Sequence, residues 1–262
     1  MNFGPKAEPR LKNLGKTLHG MSFLLEKTLT CKGLAKSYSM RDWVVFSSSS
    51  GNTFHSTWRA LSKAAQSQFK GLFVDRKCGA LDIAESFLSK NLIHDFSNFK
   101  SSSEFEKSFL NWAETQGYTS QNSPLIFLIG YFKIITPQFF ESNFPLINTH
   151  PSLLPAFPGM DKKVHRLAFE NTLISGFSVH MVSEELDAGP LIFQKEVSIA
   201  GALSPEDVRE RVRKEEQKNL PLILEKLLQT NLSGNDRKTS TRELQIKLNG
   251  QNKQEGFSTC VV

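Results

Sequence analysis

At 262 residues, the chain is long enough for one sizeable core with an appendage but short for two full domains. Hydrophobic residues make up 39% of it, yet no apolar run nears the roughly 18 residues of a membrane span, which argues against a transmembrane protein. The excess of 32 Lys and Arg over 26 Asp and Glu permits contact with nucleic acid or an anionic surface without requiring either.

Cys31, Cys78 and Cys260 are odd in number and far apart, so neither a disulfide framework nor a structural zinc site is expected. The apolar stretch Met21 to Leu25 is too short for a secretory signal, and a cytoplasmic protein is expected. Residues 1–41 are a basic extension, with Lys6, Arg10, Lys12, Lys16, Lys27, Lys32, Lys36 and Arg41 against Glu8 and Glu26. Within it Leu11, Leu14, Leu18, Met21, Leu25 and Leu29 step by three or four, the spacing of one helix face. A targeting peptide, a surface anchor, a partner-binding helix and a plain packed or loose extension all fit that pattern.

From Trp43 short apolar runs alternate with helix-compatible stretches. Val44 to Phe46 reads as a strand, Ser47 to Gly51 as a loop, Thr53 to Gln68 as a helix and Gly71 to Val74 as a second strand. Pro124 to Ile129 is continuously apolar, as in a parallel strand buried on both faces, and Pro145 to Thr149 predicts another. Phe177 to Val182 and Leu191 to Ile199 are further strand candidates, and the second alternates, so the sheet is expected to become mixed there. Ser204-Pro205-Glu206-Asp207 predicts a helix start, Pro221 a bend or restart, and Glu243 to Leu248 a last short strand before a loose end. The predicted fold is α/β: a single open, mostly parallel twisted sheet with helices on both faces and ligands at the carboxyl ends of its strands.

The densest chemical pattern directly follows an apolar strand: Asn148-Thr149-His150-Pro151-Ser152-Leu153-Leu154-Pro155. In extended backbone Asn148 and His150 share a face, and Pro151 keeps His150 out of helical geometry. An amide beside an imidazole can hydrogen-bond one carbonyl oxygen as it gains negative charge. A structurally satisfied histidine before a rigid turn explains the same letters. Downstream, Leu186-Asp187-Ala188-Gly189-Pro190 places an acid in a turn between two strands. Brought beside His150, that carboxylate would orient the ring and favour its charged, donating form. An ordinary Asp-x-Gly turn is the alternative.

The run Ile147 to Gly159, followed by Ser178-Val179-His180 and Glu185-Leu186-Asp187-Ala188-Gly189-Pro190, resembles the folate-dependent formyltransferases. Ala156-Phe157-Pro158-Gly159 is similar to the branch acting on glycinamide ribonucleotide, whereas methionyl-tRNA formyltransferases usually have an arginine before that glycine. Formyltetrahydrofolate deformylases share the Asn-His-Asp set but typically carry an additional N-terminal domain. The similarity is expected to span a domain of residues 42–257, with 258–262 a loose tail and Asn249-Gly250-Gln251 in the closing strand and turn.

The resemblance implies that 10-formyltetrahydrofolate donates a formyl group to the amine of glycinamide ribonucleotide, in purine synthesis and without a metal. Asn148 and cationic His150 would stabilise the oxyanion, and Asp187 would hold His150 charged. Gly51, Asn52 and Thr53 occupy the phosphate-binding loop, with Asn52-Thr53 for the usual Ser-Asn and Ser49 for an earlier glycine. Phe132, Lys133, Ile134 and Ile135 match the loop that meets the folate pterin, Lys133 replacing an arginine. Glu216 matches an acid that contacts the ribose or amide end. A histidine usual soon after Phe-Pro-Gly and an arginine expected near Ser101-Ser102-Ser103 are missing. A small-molecule enzyme, monomeric or homodimeric, with no nucleic-acid or membrane partner, is the resulting expectation. Its rivals are formylation of another amine, such as an amino sugar nucleotide or methionyl-tRNA, and a non-catalytic binding protein retaining the fold.

Overall fold

The computed structural model describes residues 40–159 and 161–250. The amphipathic pattern over Leu11 to Leu29, Cys31, Cys260 and the tail at 258–262 lie outside the described residues. Seven strands form one sheet in the order β3-β2-β1-β4-β5-β6-β7: β1 Trp43–Ser47, β2 Phe69–Val74, β3 Ile93–Asp95, β4 Leu125–Leu128, β5 Leu146–His150, β6 Ile174–Met181 and β7 Leu191–Ser198. The pairs among β1 to β5 are parallel, whereas β5–β6 and β6–β7 are antiparallel. The sheet is thus mostly parallel and mixed at the expected place.

Strand alternation sends side chains to two apolar layers. Trp43, Val45, Phe127, Ile147 and Val179 pack on one face with helix α7, Pro205–Leu228, through Val208, Val212 and Leu224. Val44, Phe46, Ile126, Leu128 and Leu146 pack on the other with helix α4, Ser102–Thr115, through Phe105 and Phe109. Phe46 sits edge-on to both phenylalanines, at centroid distances of 5.0 and 4.8 Å. The β1, β4 and β5 side chains in these layers are fully or nearly fully buried, which is why their sequences read as continuous apolar runs rather than alternating ones.

Several local expectations are corrected. The helix expected over Thr53 to Gln68 is two, α1 (Asn52–Ala60) and α2 (Lys63–Ser67). Leu61 is extended and Ser62 caps α2 by accepting the Ala65 N–H, so a serine able to bond its own backbone ends one helix and starts the next. Of the bend or restart expected at Pro221, the restart does not occur, since α7 continues through Pro221 as one helix. Glu243 to Leu248 is not a strand but part of helix α8, Thr241–Gly250. Leu244 and Leu248, one helical turn apart, are both buried, and Gln245 donates to the carbonyls of Leu191 and Ile192, covering part of the β7 edge. Asn249 is therefore helical rather than part of a closing strand and turn, and Gln251 is outside the described residues. Short helices α3 (Gly79–Ala84) and α5 (Pro137–Phe140) and helix α6 (Asp161–Asn171) complete the set. Arg41, the last residue of the basic stretch, is anchored at the start of β1, where it donates to the carbonyls of Leu232 and Ser123 at 2.7 and 2.5 Å. Burial lowers its pKa to about 10.

Candidate active site

Chain order reverses between β1 and β4, where loops leaving adjacent parallel strands must separate and open a crevice at the carboxyl ends. The β1–α1 loop forms one wall. Its Gly51 has φ +77°, and a Cβ there would stand 2.7 Å from the Ala80 Cα, so only glycine fits. The loop is braced on both sides: Ala80 N–H donates to the Ser49 carbonyl, Ser48 N–H to the Gly130 carbonyl, and Phe132 N–H to Ser48 Oγ. Behind Gly51, the first-turn amides of α1 have no carbonyl one turn earlier within the helix, the usual anion-binding feature of a helix start.

Asn148 and His150 project from β5 on the face of Leu146, at the end of the strand. His150 is buried, and its Nδ1 lies 3.5 Å from Asp187 Oδ2. Its Nε2 lies 3.1 Å from the Phe157 carbonyl, which can only accept, so Nε2 carries a proton. The turn after His150 is pinned by Ser178, which donates to the Ser152 carbonyl and accepts from Leu154 N–H. Asp187 has φ +55°, a conformation that aspartate tolerates, and Gly159 N–H donates to its Oδ2 at 2.9 Å. Gly189 lies so close to the Met181 carbonyl that no side chain fits, which lets the 182–190 loop fold back against the end of β6 and deliver Asp187.

The fourth member is His180 on β6, directly opposite Asn148 in the antiparallel register. Its Nε2 is 3.2 Å from Asn148 Nδ2 and 3.8 Å from Asp187 Oδ1, and its Nδ1 is 2.8 Å from the Met181 carbonyl. Burial pushes its pKa below the ordinary histidine value, outweighing the opposing effects of the Met181 carbonyl and Asp187.

The remaining expected residues divide. Thr53 and Glu216 meet: Thr53 Oγ1 lies 3.4 Å from Glu216 Oε2, while Thr149 donates to Glu216 Oε1 at 2.6 Å. Asn52 begins α1 and is exposed. In the β4–α5 loop, Phe132 and Ile134 are exposed, at 47% and 72%, whereas Ile135 is buried in the core with Phe139. Lys133 turns to Asp75, 3.5 Å away, which also binds Arg76. The basic partners and the Ser48 hydroxyl keep this buried carboxylate below the usual carboxylate range, although desolvation opposes them. Among the described residues, no cluster of three His, Cys, Asp or Glu is arranged to hold a metal, and no helix is long and apolar enough to cross a membrane.

The family model described as formyl transferase matches residues 41–224, from the start of β1 into α7. The chain belongs to the formyl transferase family. Phosphoribosylglycinamide formyltransferase of Bacillus subtilis is 29% identical over 198 residues, 74% of this chain and 98% of the relative. The Escherichia coli enzyme of that name is 40% identical over 103 residues, 38% of this chain and 47% of the relative. Among solved structures, phosphoribosylglycinamide formyltransferase of Coxiella burnetii superposes with a TM-score of 0.63 at 27% identity, covering 74% of this chain and 90% of that one.

In this formyltransferase the sequence had assigned no role to His180 or Asp75. Each carried a faint signal. Ser178 and His180 are polar positions alternating with the apolar Phe177, Val179 and Met181 of β6, yet both are buried. Asp75 directly follows the apolar run that ends β2.

Proposed function

We propose that this formyltransferase transfers the formyl group of 10-formyltetrahydrofolate to the amine of glycinamide ribonucleotide in purine synthesis, in the cytoplasm. The observation that carries this reading is the convergence of Asn148, His150 and Asp187, with Asp187 Oδ2 3.5 Å from His150 Nδ1. Bound 10-formyltetrahydrofolate supplies a formyl carbon that bonds to the amine nitrogen as its bond to N10 breaks, the amine's proton passing to N10.

Asn148 Nδ2–H and His150 Nε2–H are the donors for the formyl oxygen, whose negative charge grows during attack. His150 redirects to that oxygen the proton it gives to the Phe157 carbonyl in the free protein. Asp187 orients the ring from its other nitrogen and offers a carboxylate to protons leaving the amine through water. The exposed Phe132 and Ile134 suit a flat heteroaromatic group, and the backbone beside them supplies its polar contacts. The first turn of α1, with Gly51, Asn52 and Thr53, receives the phosphate, and Glu216 the polar body of the nucleotide.

Spectroscopic assay of 10-formyltetrahydrofolate consumption with glycinamide ribonucleotide tests the reading. Turnover is expected, and His150→Ala or Asn148→Ala should lower kcat by ~10²–10³. The altered Asn52-Thr53 loop gives one rival a foothold: formylation of an amino sugar nucleotide, with no turnover on the ribonucleotide, would transfer the assignment.

A further inference from the structure

The amide of Asn148 is nearly symmetric in shape, and nothing in its own covalent structure says which end faces the reacting carbonyl. Presented oxygen-first, it would repel a developing oxyanion; presented nitrogen-first, it stabilises one. The choice falls to whatever engages one N–H of the amide nitrogen and leaves the other free, and the neighbour within reach is His180, whose Nε2 lies 3.2 Å from Asn148 Nδ2 and whose side chain is 2% exposed.

The bonding of His180 reads from its back to its front. The Met181 carbonyl, 2.8 Å from Nδ1, is an acceptor, so that nitrogen carries a proton. In a neutral ring the lone pair is then on Nε2, which can receive an N–H from Asn148 and nothing else. In a doubly protonated ring Nε2 would be a donor and would demand the amide oxygen instead. The charged and titratable groups facing the ring are Asp187, whose Oδ1 is 3.8 Å from Nε2, and His150. The carboxylate lies beyond hydrogen-bond distance and is held by Gly159 N–H at its other oxygen, whereas the burial of the ring itself disfavours a second charge.

We propose that His180 is a positioning residue: a neutral imidazole protonated on Nδ1, it accepts one N–H of Asn148 and so aims the other N–H at the formyl oxygen. This inference rests on the role assigned to Asn148 above. The histidine itself touches neither substrate; it removes the wrong amide orientation before substrate arrives, a preorganisation that acts on kcat rather than on binding.

The test combines kinetics with a direct look at the ring. His180→Ala should lower kcat by ~10–10², with both KM values within about threefold, and His180→Gln, whose side-chain oxygen can accept from Asn148, should recover most of the loss. In an Asn148→Ala background, His180→Ala should cost less than about threefold more, because the group it orients is gone. Independent, multiplying losses in that cycle would overturn the proposal, as would a kcat unchanged by His180→Ala while Asn148→Ala is strongly impaired. An Asn148→Ala enzyme of normal kcat would instead overturn the active-site reading, and this inference with it. Should the alanine variant not fold, ¹⁵N spectra of the wild-type ring decide: a neutral, Nδ1-protonated His180 at pH 7 is expected, and an Nε2–H or a cation there rules the proposal out.

Discussion

Thr149, the residue between Asn148 and His150, donates a 2.6 Å hydrogen bond to Glu216, 67 positions later in the chain. One short strand thereby presents two chemistries: Asn148 and His150 face the proposed formyl site, and Thr149 between them bonds an acid on the opposite side, which Thr53 reaches from α1. Thr149→Val keeps the shape and removes the hydroxyl. A hydrogen bond to a charged group contributes about 1.5–3 kcal/mol, so we expect KM for glycinamide ribonucleotide to rise about tenfold with little change in kcat. Steady-state kinetics that leave KM untouched would remove Glu216 from the nucleotide subsite.

Asp187 contacts the His150 ring yet is tied down by Gly159 N–H. Asp187→Asn retains most of the shape and loses the charge beside the imidazole. The expected loss in kcat is ~10² or more, with the melting temperature nearly unchanged. Comparable loss of folding stability would mean that the carboxylate serves the loop rather than the reaction.

Gly51 combines a left-handed backbone with direct contact to Ala80. Gly51→Ala should cost at least about 1–2 kcal/mol for the backbone alone and displace the first turn of α1. Urea unfolding should show the lower stability, and the ribonucleotide KM should rise with it. Wild-type values for both would exclude a structural demand for glycine at the entrance to α1.

His94 lies flat on Phe73, with ring centroids 4.2 Å apart, and burial holds its pKa below 6.5. The unfolded chain therefore binds a proton here more readily than the folded one. The neutral ring costs nothing above the unfolded value, and stability falls as pH drops below about 6.5. His180 adds to this in the same direction, whereas Asp75, with its lowered carboxylate pKa, contributes only at lower pH, below 3.8. Melting temperatures measured from pH 7.5 to 5.5 should decline, and less steeply in His94→Phe than in the wild type. Parallel slopes would show that His94 is not one of the groups responsible.

Much of the fold was legible because its signals are local. β4 and β5 carry apolar runs bounded by turn residues, and the helix start at Ser204-Pro205 satisfies its cap within three residues. The failures were also local, but in weak elements. β3 spans only Ile93–Asp95, too short for any period to show. The segment Glu243 to Leu248 carries Leu244 and Leu248 at helical spacing, and that pattern, rather than the short strand expected there, settled when α8 packed on β7. Ser62 ended a helix that the apolar spacing alone would have continued.

The sequence by itself determined that an amide and an imidazole share one face of a strand end, because alternation within a strand needs only neighbouring residues. It also carried the family's motif, and with it an acid at Asp187. Only the tertiary structure decided that His180 stands opposite Asn148, that Glu216 bridges Thr149 and Thr53, and that Lys133 answers Asp75. Those pairings depend on strand register, helix packing and the switch in strand order. Such relations are set by the burial of whole faces against one another, and the letters around any single residue do not record them.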